Sequence, residues 1–100
     1  MHLITRELAQ QLPPLNTTNG YTERTLFHKF FTPWSFWAWY LAEYDEKSGK
    51  CFGWIQGLEN EWGYFSLYYL ESRRGPIGAK VERDLHFQPT TFSQMLHLKA

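Results

Sequence analysis

Three residues near the C-terminal end, Glu82, Asp84 and His86, occupy alternate positions in the segment AKVERDLHF. On an extended strand that alternation sends all three to one face, roughly 6.6 Å apart. Two carboxylates and an imidazole in such a row are donors for a divalent cation, Mg or Mn. Two further carboxylate pairs repeat the spacing, Glu43 with Asp45 and Glu59 with Glu61. Brought together, these groups would suit metal-dependent phosphoryl transfer. The competing reading is simpler, because solvent-facing strand positions are normally charged. It outweighs the metal reading, so no catalytic residue and no cofactor is assigned. The opposite face of the same segment carries Val81, Arg83, Leu85 and Phe87. A guanidinium on an apolar face needs a partner, since an unpaired buried charge costs several kcal/mol. Glu71 is the natural one, with Glu59 and Glu61 as alternatives, and an Arg83–Glu71 ion pair would tie helix to sheet.

The second constellation is aromatic. Five Trp, six Tyr and eight Phe stand among 100 residues. In the segment from Phe36, strict alternation places Phe36, Tyr40 and Tyr44 on one face and Trp37 and Trp39 on the other. A half-buried antiparallel strand is polar on one side. Three short helices would hardly hide both faces of a five-stranded sheet, so an aromatic face is left for a partner. Trp34, Trp37 and Trp39 are the candidate anchors, because clustered tryptophans supply large desolvated contacts. Exposed rings can also stack single-stranded bases, as a DNA-binding module would. Ten Lys and Arg balance ten Asp and Glu, however, and duplex or single-strand binding normally needs a basic excess. The basic cluster Arg73, Arg74, Lys80 and Arg83 is small. A protein partner is therefore expected, and exposed aromatics are also compatible with a homodimer.

Other reactive groups are thin. His2 and His97 lie near the ends, His28 sits between apolar strand residues, and Cys51 has no neighbouring His to make a thiolate pair. Ser66 stands in GYFSL, which lacks the spacing of a nucleophile elbow. Gly75, Pro76 and Gly78 spell a turn, not a phosphate-cradling loop.

The elements that must position these residues follow from pattern. Residues 3–12 read as a helix capped by Thr5, with Ile4, Leu8 and Leu12 at a spacing of four, and Pro13-Pro14 stops it. TLFHKFF, FWAWYLAEYD, CFGWIQGL and EWGYFS read as four strands with short connections, the mark of an antiparallel meander. LYYLESRR is a helix with Ser66 as its cap and Gly75-Pro76 beyond it. AKVERDLHF is a fifth strand by alternation. A closing helix follows Pro89-Thr90, with Phe92, Met95 and Leu96 inward. The expected fold is α+β, an antiparallel sheet of four to five strands. It carries an N-terminal helix, a helix before the last strand and a C-terminal helix.

Length and composition set the bounds. A chain of this length buries about two-thirds of its surface on folding, enough for one core, so residues 1–100 are expected to form a single domain. Apolar residues at 43% and charged residues at 20% exclude a disordered chain. No apolar run approaches a membrane span, the opening MHLITRELAQQL lacks a signal-peptide pattern, and the lone cysteine excludes a disulfide framework. A cytoplasmic location is expected.

Several segments together resemble a known family. LITRELAQQLPPL, FFTPWSFWAWYLAEYD, GLENEWGYFSLYYLES and RRGPIGAKVERDLHFQP are similar to domain of unknown function 2958 over most of the chain. The signatures are G-Y-F-S-L at Gly63 to Leu67, R-G-P at Arg74 to Pro76, and E-R-D-L-H-F at Glu82 to Phe87. Phe36, Tyr68 and Tyr69 are bulkier than the family pattern. The resemblance implies a small protein of bacterial plasmids, conjugative elements and phages. It points to an accessory factor acting by macromolecular binding, such as an inhibitor of a host defence component. Some members carry the name single-stranded DNA endonuclease, which keeps Glu82, Asp84 and His86 as the alternative. The family supplies no catalytic residue.

Overall fold

The computed structural model describes residues 3–20 and 23–99. Among them the chain runs α1 (Arg6–Gln10), β1 (Thr25–Leu26), β2 (His28–Phe31), β3 (Ala38–Asp45), β4 (Lys50–Gln56), β5 (Asn60–Ser66), α2 (Leu67–Ser72), a 3-10 turn (Pro76–Gly78), β6 (Glu82–Arg83), β7 (Thr90–Thr91) and α3 (Phe92–Lys99). The fold is α+β. Five strands form an antiparallel sheet in the order β5-β4-β3-β2-β6, and β1 pairs with β7 in a separate two-stranded ribbon.

Local chemistry accounts for most boundaries. Thr5 caps α1 by accepting the Leu8 amide at 3.3 Å, and Ser66 caps α2 by accepting the Tyr69 amide at 3.2 Å. The β3–β4 turn is held by Asp45, whose carboxylate accepts the Ser48 hydroxyl at 2.6 Å. The Ser48 hydroxyl and amide hold that carboxyl below its ordinary range. Gly49 sits in the left-handed region at φ 74°, and the Tyr68 ring fills the space a β-carbon would need.

β3 is the central strand, and its residues from Tyr40 to Tyr44 are all buried. A bulge between Leu41 and Glu43 inserts Ala42 as an unpaired extra residue. One added residue reverses the facing of everything after it. Tyr44 therefore joins Leu41, Cys51 and Phe30 on the face covered by Leu67 and Leu70 of α2 and by Leu3, Ile4 and Leu12 around α1. Tyr40 and Ala42 pack on the other face with Leu26 and Met95, beside Trp54, Trp62, Phe87 and Phe92. Strict alternation had put Tyr40 and Tyr44 together; the bulge separates them.

Other differences from the sequence pattern have equally local causes. Both faces of the sheet carry a buried cluster, because the segment around α1 joins α2 on one side and the β1–β7 ribbon joins α3 on the other. The first strand breaks at Phe27 into β1 and β2, so its two halves serve different sheets. The fifth strand shrinks to Glu82–Arg83, since Asp84 starts a turn in which its carboxylate accepts the His86 amide at 2.9 Å and its carbonyl the Phe87 amide at 3.3 Å. In α3, Met95 is buried and Phe92 half-buried, but Leu96 faces out.

Candidate functional site

The β2–β3 connection folds back on itself through backbone bonds from Thr32 to Trp37 (3.2 Å) and Ser35 to Thr32 (3.2 Å). This turn brings Trp34 and Trp37 to the end of the sheet where Trp39 stands. All three indoles are half-buried and line one cleft of about 490 Å³. Trp37 stacks on Trp39 with ring centres 5.9 Å apart and planes at 24°, and Phe36 stacks on Trp37 at 6.3 Å and 22°. Ile55 and Phe65 lie beside them, with Tyr69 and Arg73 from the C-terminal end of α2. Thr32, Ser35 and Glu61 supply polar groups along the same lining.

Two glycines seat the rings. A β-carbon on Gly57 would come within 2.2 Å of the Trp37 ring, and one on Gly75 within 2.2 Å of the Trp34 ring. Real β-carbons do not approach so closely, so each indole occupies room that only glycine leaves. Next to Gly57, Leu58 is 85% exposed, and Phe36 is 64% exposed, which extends the apolar surface beyond the cleft.

The cleft offers aromatic faces and a few hydrogen-bonding groups. Cys51, Tyr40 and His28 lie outside the cleft lining. Burial pushes the Cys51 thiol up to about 12, so it stays protonated. Burial likewise raises the Tyr40 hydroxyl to about 12, and burial followed by the Arg83 charge lowers His28. Such a surface is suited to apolar burial and stacking.

The carboxylate set is not assembled. Glu82 lies on β6, Asp84 is taken up in its turn, and His86 is exposed beyond it. Among the described residues no group of three or more His, Cys, Asp or Glu side chains is placed to hold a metal. Glu43 and Asp45 do not converge with them, and Glu59 and Glu61 are exposed near the β4–β5 connection. Nor does an Arg83–Glu71 ion pair form. The Glu71 carboxylate accepts the Leu3 amide at 2.8 Å, which ties the N-terminal segment to α2. Arg83 pairs with Phe30 across the sheet, and its buried Nη1 has no hydrogen-bond partner among the described residues.

Glu43 is the residue whose part was misread. It is 1% exposed, in place of the solvent-facing strand position that alternation predicts. Its carboxylate accepts the Asn16 amide at 2.7 Å, the Thr18 amide at 2.9 Å and the Thr18 hydroxyl. Thr18 in turn accepts from Arg24 Nε at 3.0 Å, and the Arg24 guanidinium lies 5.0 Å over Phe52 and 5.1 Å over Trp62. A charge inside the otherwise apolar run WAWYLAEY is the signal that points to such a buried, satisfied carboxylate.

No helix among the described residues is long and apolar enough to cross a membrane. No curated protein and no solved structure matches the chain. A family model does match, over residues 3–98, and the chain thus belongs to the family described as protein of unknown function, DUF2958.

Proposed function

We propose that this protein is a non-catalytic binding module that engages another protein through the cleft of Trp34, Trp37 and Trp39. One observation carries the reading: three indoles line a single cleft beside α2, at the end of a sheet face whose centre is buried under α2 and the segment around α1. Large half-buried rings around a concavity are the features that dominate protein interfaces. Formal neutrality and the single nearby guanidinium of Arg73 favour a protein over a nucleic acid backbone. In the mobile-element setting that the family resemblance implies, the proposed partner class is a component of host defence, met in the bacterial cytoplasm.

A photo-cross-linking residue at Ser35, with the same group at Leu85 as control, tests this in cells. The expected result is a discrete protein adduct from position 35 that disappears in Trp37→Ala. Against the purified partner, Trp37→Ala should weaken binding by about 2 kcal/mol, near thirtyfold, with its melting temperature little changed. A nucleic acid adduct would replace the reading with single-stranded DNA binding. A Trp37→Ala variant that no longer folds would show the ring to be core.

A further inference from the structure

The two edges of the main sheet are built differently. β6 closes one edge with only Glu82 and Arg83, short and charged as guarded edges are. β5 forms the other edge with seven residues, Asn60–Ser66, in unbroken register with β4 and with no proline, lysine or bulge. Two bonds at the ends of that ladder fix its phase. Leu67 N–H donates to Gly49 C=O at 2.8 Å and Gly57 N–H to Glu59 C=O at 3.2 Å, so Lys50–Ser66 and Gln56–Asn60 are non-hydrogen-bonded pairs. The bonds to β4 are consequently carried by Glu61, Gly63 and Phe65. Trp62 and Tyr64 turn their amides and carbonyls outward, where no described residue meets them. Asn60 and the Ser66 amide share that direction.

We infer that the β5 edge pairs with the β5 edge of a second copy of this chain, antiparallel about a two-fold axis at Gly63. The register follows from the outward groups. Pairing Trp62 with Tyr64 of the second copy, and the reverse, is the one arrangement in which Asn60, Trp62, Tyr64 and Ser66 each meet an outward-facing residue. Sliding by two either way sets Trp62 against itself or Tyr64 against itself and leaves end residues unmatched. In the favoured register the two chains meet most closely at Gly63, where neither has a side chain. Glu61 then faces Phe65 of the second copy, and the two Glu61 carboxylates stay apart. α2 leaves the strand toward the face that holds Leu41, out of the path of an added strand. The inference rests on the strand edge and not on the tryptophans, although Glu61, Tyr64, Phe65 and Ser66 line the tryptophan cleft as well.

Sedimentation equilibrium and a cysteine scan test it on the full chain. The wild type should sediment as two copies. Gly63→Cys should form an intermolecular disulfide under mild oxidation, since a non-bonded antiparallel pair holds its α-carbons about 4.5 Å apart, within disulfide reach. Cysteines at 62 and 64 should cross-link far less. Tyr64→Pro removes an outward donor that β4 does not use, so it should sediment as one copy and keep the wild-type circular dichroism spectrum. A wild type that is monomeric at every concentration overturns the inference. So does a dimer that persists in Tyr64→Pro, or one that cross-links best at 62 or 64. A monomer whose Trp62 and Tyr64 amides gain exchange protection only on adding a foreign extended peptide overturns the second copy in favour of that occupant.

Discussion

Two groups of tryptophans on one sheet meet opposite fates. Trp54 and Trp62 cross edge to face at 5.5 Å and 71°, and Phe92 of α3 lies 4.6 Å from one and 4.8 Å from the other. Arg24 lies over Trp62 on the strength of its bond to Thr18, itself fixed by Glu43. Both rings are half-buried among these contacts, and Trp54 Nε1 has no hydrogen-bond partner among the described residues. Trp37 stacks on Trp39 and on the exposed Phe36, and the six-residue α2 lines their cleft through Tyr69 and Leu70. The residue type is the same on both sides. All four rings are half-buried, and the difference lies in what meets them: Phe92 and Arg24 contact Trp62, and Phe92 contacts Trp54, whereas a cleft opens along Trp37 and Trp39.

The largest break in this contrast should come from Glu43→Ala. It strands two backbone amides and the Thr18 hydroxyl beside a buried position, at about 1–3 kcal/mol each, and releases Arg24 from the closed group. Urea unfolding should show a loss of several kcal/mol; a change near zero would mean that water reaches those amides. Next, Trp62→Ala should cost roughly 3 kcal/mol by the same measurement, whereas Trp37→Ala should cost under about 1 kcal/mol. Equal losses would erase the distinction between the two groups. The smallest effect is set by pH. His28 is held below 6.5 by burial, then by Arg83, so the unfolded chain takes up the proton first as pH falls. Its contribution is full above the unfolded value and is lost as pH drops toward the lower folded one. Urea midpoints at about pH 7.5 and about pH 5.5 should differ in the wild type, and by less in His28→Gln.

Much of the architecture is legible in the residues. Thr5 and Ser66 announce their helices and the short connections from Phe31 to Asn60 dictate a meander, but α2 ends at Ser72, before Arg73, Arg74 and the expected stop at Gly75-Pro76. What alternation misses are places where one residue changes the count or one side chain captures the backbone. The bulge at Ala42 has no glycine to mark it, so Tyr44 changes face without warning. Asp84 reads equally well as a strand residue or a turn former, and its bond to the His86 amide selects the turn. The tryptophans were readable as a cluster from their spacing, because Trp34 needs only one turn to rejoin Trp37 and Trp39. The carboxylates were not readable as a site, because their apparent rows belong to a bulge, a turn and a connection.

Gly57 and Gly75 lie beneath the cleft, each under an indole. A single methyl at either position would lift its ring and change the opening from below. The room available to the indoles is therefore set by two residues outside the cleft lining. Binding preference in this scaffold can be retuned from behind, with every aromatic contact residue left in place.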